Sequence, residues 1–188
     1  MKTEDMLIYY KGVEALKRLV RKGWTLRGIP NPESVADHIF GVSSLAIYFG
    51  KERNLNMETL LITSIIHEAC EIELGDITPY DGFSKEEKQK LETESATKFL
   101  LEVDSTGKLA ELWKDFEYER TEEGRLVKDI DRLEMLLQAF MYENKLPKSL
   151  DEFYLYAEKT VNDPEMKTIV QEIMKMQELR IGRAIRPE

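Results

Sequence analysis

The sequence predicts an all-α protein. Apolar residues recur three and four positions apart over several long segments, which is the spacing of one buried helix face. Capping residues, glycines and prolines bound these segments as helix start and stop signals. No segment shows the sustained alternation of apolar and polar residues that a half-buried strand requires, so we expect no sheet.

The first half of the chain carries three predicted helices. The first covers residues 4–22 and ends at Gly23, because glycine readily adopts the left-handed turn after a helix. A loop at 24–31 leads to the second helix, 33–49. The third, 57–73, starts after Asn56 and is apolar on more than one face, which predicts a central position in the fold.

Further helices are predicted at 85–102, 109–118 and 122–143. Residues 84–87 and 149–152 both have capping-box form, in which a hydroxyl and a carboxylate three positions apart bond the first amides of a helix. Asp163 and Pro164 mark another helix start. We predict one domain over residues 1–188, with its motif-bearing core at 16–143 and C-terminal helices at 149–182.

Composition limits the classes of function. The 188 residues carry a net charge of −9, a poor match to a binder of nucleic-acid polymers, although one phosphorylated small molecule is not excluded. No apolar run approaches the roughly 18 residues of a membrane span, so we expect no membrane partner. The single cysteine, Cys70, can form no internal disulfide and favours a reducing, cytoplasmic location.

Chemistry is concentrated around the only two histidines, His38 and His67. On a continuous helix His67 and Glu71 share one face, and Glu68 is adjacent. Such groups on a strongly apolar helix are costly to bury unless they are paired or bound to a cation. The same cost applies to Asp131, because it borders the apolar stripe of the 122–143 helix. Either histidine alone is more often a structural residue.

The ordered set of these residues resembles a known signature. His38, then His67 followed directly by an acid, then Asp131, is similar to the H…HD…D pattern of the HD-domain metal-dependent phosphohydrolases. Neighbouring stretches narrow the resemblance to the 5′-deoxynucleotidase subgroup, and they lie at 23–30, 33–38, 67–71, 75–79 and 128–134. The similarity covers residues 16–143.

This resemblance implies a helical bundle that holds one divalent metal between His38, His67, Glu68 and Asp131. Two imidazoles with two carboxylates suit Mn, Co, Ni, Fe or Zn better than calcium, which prefers oxygen ligands alone. The metal would lower the pKa of a bound water toward neutrality. Glu71 matches the family's catalytic acid-base carboxylate, which orients the water or protonates the leaving sugar oxygen.

The chain departs from the family pattern at Glu68, where the signature has aspartate. The extra methylene leaves three outcomes open: Glu68 binds the metal directly, binds it through water, or weakens the site. We expect binding to be retained, since the other matching positions, including Glu71, are intact.

Four residues are candidates for substrate contact. Arg27 and Lys128 could bind the phosphate, Trp24 could pack against the sugar or base, and Asp76 could take part in sugar recognition. Most such cations, however, are simply solvated at the surface, and a tryptophan is as often a packing residue of the core. Cys70 is expected in the core.

The leading functional hypothesis is hydrolysis of deoxynucleoside 5′-monophosphates to deoxynucleoside and phosphate, with a nucleotide as the partner molecule. Action on nucleoside triphosphates or signalling nucleotides, and non-catalytic nucleotide binding, remain alternatives. Relatives are commonly homodimers, so we expect a homodimer, with the C-terminal helices as a candidate interface.

Overall fold

The computed structural model describes residues 3–143 and 149–184, which fold into helices joined by turns and loops. Its α-helices, in chain order, are α1 (Thr3–Arg18), α2 (Lys22–Leu26), α3 (Val35–Gly50), α4 (Met57–Ile66), α5 (Glu71–Leu74), α6 (Lys85–Val103), α7 (Lys108–Glu117), α8 (Glu122–Glu143), α9 (Asp151–Thr160) and α10 (Pro164–Ala184). A 3₁₀ turn, Pro79–Asp81, separates α5 from α6. Within the described ranges there is no strand, only an isolated bridge between Val20 and Ser34. The all-α prediction is confirmed.

The chain divides into two compact units, Met1–Val127 and Lys128–Glu188, and α8 begins in the first and ends in the second. In the first unit α3 packs against α1 and α4, while α6 packs against α1, α5 and α7. In the second unit α9 packs against α10. None of the helices in 3–143 and 149–184 has the length and apolar character needed to cross a bilayer.

A buried apolar cluster fills part of the first unit. Its members come from the end of α4 and the turn after it, from α6 and from α7: Ile66, Ala69, Cys70, Ala96, Phe99, Leu100, Ala110 and Trp113. Full burial of one large apolar side chain contributes about 1.5–3 kcal/mol to folding. Cys70 is a free, buried thiol, as expected. Burial raises its pKa well above the usual value, so the thiol stays protonated and unreactive.

Several helix starts follow the predicted signals. Ser84 closes the predicted capping box, with Glu87 as the acidic partner. Ser34 closes a second box with Asp37 that was not predicted, since the second helix was expected to begin at residue 33 and α3 begins at Val35. Asn56 accepts a hydrogen bond from the amide of Thr59 at the start of α4. Each such cap typically stabilises its helix by about 1 kcal/mol.

The predicted helix over 4–22 is too long. α1 ends at Arg18, because the next residues pair with the segment before α3: Val35 donates its amide to Leu19 O at 2.8 Å, and Arg21 donates to Glu33 O at 3.0 Å. Gly23 does not terminate a helix but lies inside α2, and Trp24, predicted to start a loop, lies there too. The spacing of apolar residues along a helix cannot reveal that the backbone will pair with a distant segment.

The predicted helix over 57–73 is interrupted. α4 stops at Ile66, and four residues of turn precede α5. The amide of Ala69 bonds Ile66 O at 2.9 Å and that of Glu71 bonds Glu68 O at 3.1 Å, so the hydrogen bonds here span three residues and not four. This tight turn carries His67 and Glu68 of the predicted metal motif, and Glu71 follows it as the first residue of α5.

In the second unit a buried carboxylate organises the chain around α9. Glu143 accepts hydrogen bonds from the amide of Leu150 at 2.5 Å and from the hydroxyl of Tyr154 at 2.8 Å, and it pairs with Arg180 at 2.6 Å. The predicted capping box at 149–152 is wrong. Leu150 is the N-cap of α9 and makes no side-chain cap bond, because its amide points to Glu143.

Candidate metal centre

His38 is set at the start of α3 by a well-defined cap. The Ser34 hydroxyl accepts from the amide of Asp37 at 3.1 Å, and Asp37 accepts from the amide of Ser34 at 2.8 Å, which fixes where the helix begins. His38 therefore falls in the first turns, with its side chain fully buried. Burial of an imidazole is costly unless its nitrogens are hydrogen-bonded or bound to a metal.

His67 stands at the end of α4 and is held by backbone and ring contacts. Its Nδ1 lies 2.7 Å from Ser64 O. A carbonyl oxygen only accepts, so Nδ1 carries the hydrogen and Nε2 of the neutral ring presents a lone pair. Trp113 donates its indole N–H to His67 O at 2.9 Å, and Phe116 packs edge-on with ring centroids 5.4 Å apart. These contacts hold the His67 ring and its lone pair in one orientation.

The two imidazoles face each other across a short gap. His38 Nε2 and His67 Nε2 are 3.4 Å apart, and one carboxylate oxygen, Glu68 Oε1, lies 3.6 Å from each of them. Single ligand atoms of all three residues lie within 4.8 Å of one another. Two imidazole nitrogens and a carboxylate oxygen directed at one point form a donor set that suits a borderline divalent metal. The residues present therefore fit the metal that the motif predicts.

Glu71 begins α5 just beyond this group and is 8% exposed. Its Oε2 is buried and has no hydrogen-bond partner among the described residues. Burial raises the pKa of the Glu71 carboxyl well above its usual value; the charges of Glu68 and Asp76 raise it further, against the opposing effect of Arg21 and Lys88. These surroundings favour the protonated carboxyl over the carboxylate.

Asp76 ties two segments of the first unit together. Its Oδ2 accepts a 2.6 Å hydrogen bond from the backbone amide of Lys22, at the first residue of α2. The Lys22 ammonium pairs with Asp81 on the other side of the same turn, which lowers the pKa of that carboxyl to about 2. The 76–81 turn therefore fixes the position of α2.

The other candidate substrate residues differ in exposure. Trp24 is buried, and its indole N–H donates to Glu33 Oε1 at 2.8 Å. Arg27 is half-buried, donates to the Tyr80 hydroxyl and places its guanidinium carbon 4.9 Å from the centre of that ring. Both residues therefore make contacts within the first unit.

The remaining predicted site residues lie in the second unit. Lys128 and Asp131 are half-buried on α8. Nearby on the same helix, Asp129 is buried and accepts from the amides of Asn162 at 3.0 Å and Asp163 at 2.8 Å. Asp129 is thus committed to the segment that leads into α10.

Sequence reasoning missed Arg21. Its guanidinium Nη1 lies 3.3 Å from Glu68 Oε1, and it belongs to the irregular segment that the sequence presented as helix. No spacing rule links Arg21, just before α2, to Glu68, just after α4. The signal available was only a basic residue near the Gly23-Trp24 stretch.

The chain is similar to known proteins both in sequence and in structure. A family model described as HD domain matches residues 13–174. The chain is 35% identical over 173 residues to 5′-deoxynucleotidase HDDC2 of Homo sapiens, covering 90% of this chain and 84% of that protein. It is 34% identical over 171 residues to 5′-deoxynucleotidase hdd1 of Schizosaccharomyces pombe, covering 87% and 85%. A solved structure of a conserved hypothetical protein from Pyrococcus furiosus is similar with a TM-score of 0.72 and 30% identity, over 93% of this chain and 99% of that one.

Proposed function

Because the chain belongs to the HD domain family, we propose that it is a metal-dependent 5′-deoxynucleotidase, which hydrolyses deoxynucleoside 5′-monophosphates to deoxynucleoside and phosphate. The observation that carries this proposal is the approach of His38 Nε2 and His67 Nε2 to 3.4 Å, with Glu68 Oε1 3.6 Å from both. We assign the metal to His38, His67, Glu68 and Asp131, with Mn, Co, Ni, Fe or Zn as the candidates. When bound, such a metal activates water and offsets charge on phosphoryl oxygens.

The role of Glu71 follows from its burial. The raised pKa favours the protonated carboxyl, which is the form that can give a proton to the leaving 5′ oxygen as the P–O bond breaks and its electron pair passes to that oxygen. Water supplies the oxygen that joins phosphorus. One proton of that water stays on the phosphate, and the other passes to the ionised Glu71 and restores its carboxyl.

We propose that Arg27, Asp76 and Lys128 contact the substrate and that Trp24 supports the segment that carries Arg27. The buried indole of Trp24, bonded to Glu33, fits a supporting role. The guanidinium of Arg27 is stacked on the exposed ring of Tyr80.

The function is tested by incubating the protein with a panel of nucleotides in the presence of Mn, Co or Ni and measuring released phosphate and pyrophosphate. Phosphate from deoxynucleoside monophosphates is expected. Release of pyrophosphate or tripolyphosphate indicates a triphosphatase, and binding without turnover under every metal indicates a nucleotide sensor. Either result would replace the proposed reaction.

The metal assignment is tested separately by elemental analysis. We expect about one divalent metal per chain and loss of that metal in Asp131→Ala. The matched control is Glu94→Ala, since Glu94 is an exposed carboxylate on α6 that pairs only loosely with Lys90, 3.9 Å away. Purified protein without metal after growth with Mn, Co and Ni would contradict the assignment.

We also propose a homodimer and a cytoplasmic location. Support for the dimer comes from apolar side chains on α9 and α10 that are at least half exposed: Leu155, Tyr156, Met176 and Leu179. Sedimentation equilibrium should give twice the 22.0 kDa of one chain, and Leu179→Glu should reduce that mass. The free thiol of Cys70 is in keeping with a reducing compartment, which cell fractionation can test.

A further inference from the structure

We propose that Arg21 is a positioning residue for Glu68: its guanidinium holds the glutamate carboxylate against the two histidines and so offsets the extra methylene at this position. The inference rests on the proposed metal centre. Arg21 is neither one of the four proposed metal ligands nor the proposed proton donor.

One oxygen atom connects the four side chains. Glu68 Oε1 lies 3.3 Å from Arg21 Nη1 and 3.6 Å from Nε2 of both His38 and His67. The side chains of Arg21 and Glu68 are only 14% and 15% exposed, so solvent screens the pair weakly. A poorly screened ion pair restricts the conformations of its two side chains much more than a solvent-exposed ion pair does.

The backbone of Arg21 is fixed relative to the helix that carries His38. Its amide donates to Glu33 O at 3.0 Å, and the neighbouring Val20 forms the bridge to Ser34, the N-cap of α3. Arg21 O also accepts from the amide of Thr25, which anchors the start of α2. The guanidinium is therefore presented from a rigid segment and can act as a fixed reference for a mobile side chain.

A positioning role and a purely electrostatic role predict opposite signs. Arg21 is a cation beside a cation site, so if it acted only through its charge, its removal would tighten metal binding. If it positions Glu68, its removal releases rotamers of a long side chain that must then be ordered by the metal, and binding weakens by about threefold to tenfold. The direction of the change decides between the two roles.

The experiment is a double-mutant cycle of Arg21→Gln, Glu68→Asp and the double variant, with Mn²⁺ affinity measured by titration calorimetry on protein first stripped of metal. We expect Arg21→Gln to weaken binding threefold to tenfold when residue 68 is glutamate. In the Glu68→Asp background the side chain is one methylene shorter, so its carboxylate lies farther from the Arg21 guanidinium. There the same change should alter affinity less than twofold.

Two further measurements keep the outcome interpretable. Thermal unfolding of each metal-free variant shows whether it folds, and Arg21→Lys retains the charge without the rigid fork, so it should lie between wild type and Arg21→Gln. Arg18→Gln is the matched control, because Arg18 is a largely exposed arginine paired with Glu14 and should leave Mn²⁺ affinity unchanged.

Unchanged or tighter binding in Arg21→Gln, or equal weakening in both backgrounds, would overturn the positioning role while leaving the metal centre intact. Wild-type protein that binds no Mn²⁺, Co²⁺ or Ni²⁺ would instead remove the proposed function, and the positioning role with it.

Discussion

Replacement of Glu71 by glutamine should make the metal-free protein more stable at neutral pH while it abolishes most of the activity. Glutamine has nearly the shape of the protonated carboxyl but cannot ionise. In wild type the carboxylate form must sit in a buried position where Oε2 has no hydrogen-bond partner among the described residues and where Glu68 and Asp76 repel it. The variant removes that charge and keeps the packing.

The size of the effect follows from the raised pKa. The folded protein binds the Glu71 proton more tightly than the unfolded chain, whose carboxyl has the usual value of 4.5. The stabilisation given by this proton is complete below pH 4.5 and is lost as pH rises through the folded pKa. Each pH unit in that interval costs wild type about 1.4 kcal/mol that Glu71→Gln does not lose.

The assay is urea unfolding of both proteins, with chelator present, at intervals between pH 4 and pH 8. The difference in unfolding free energy should be near zero below pH 4.5, rise with pH and then level off. Phosphate release by the metal-loaded variant should fall by on the order of 10²–10⁴.

The control is Glu73→Gln on the same helix. Glu73 is an exposed carboxylate that pairs with Lys98 at 2.8 Å, and its replacement should change stability by less than about 1 kcal/mol at any pH. Stability curves of Glu71→Gln and wild type that run parallel from pH 4 to pH 8 would refute the reasoning, because they would show that ionisation of Glu71 has no cost in the folded state.

Three further substitutions probe how the fold supports the site. Trp113→Phe removes the hydrogen bond to His67 O and leaves that buried carbonyl without this donor. The free energy of unfolding, measured by chemical denaturation, should fall by about 2 kcal/mol, and calorimetry should show weaker metal binding. Gly124→Ala would place a Cβ 2.4 Å from the backbone oxygen of Asp115, and a thermal-melt shift to lower temperature, equivalent to about 1–3 kcal/mol, is expected; an unchanged melt would contradict the contact. Glu143→Ala strips a buried acceptor from several donors and should cost about 3–5 kcal/mol, whereas a loss below 1 kcal/mol would show that water replaces it.

The sequence was sufficient where structure depends on neighbours along the chain. The bounds of α8 match the predicted 122–143, and the box at Ser84 closes as expected, because both depend on spacing within a few residues. The pairing of His38 with His67 was accessible only through the ordered motif, since the two residues are 29 positions apart and no local rule brings them together. That residues 1–188 form one domain stays a prediction.

The rest depended on contacts that periodicity does not encode. The end of α1 is decided by the backbone pairing of residues 19–21 with 33–35, and the start of α9 by the buried carboxylate of Glu143. Arg21 was missed for the same reason, because its partner Glu68 is 47 residues away.

The tight turn between α4 and α5 also affects the relative directions of the Glu68 and Glu71 side chains. In a regular α-helix, residues three apart are rotated by about 60° from eclipse, whereas in a 3₁₀ turn they stand directly above one another. The three-residue hydrogen bond from the Glu71 amide to Glu68 O therefore favours a smaller angle between these two side chains than a regular α-helix gives. A substitution that made this stretch a continuous α-helix would keep the motif residues in the sequence, and it would turn the Glu71 side chain away from that of Glu68.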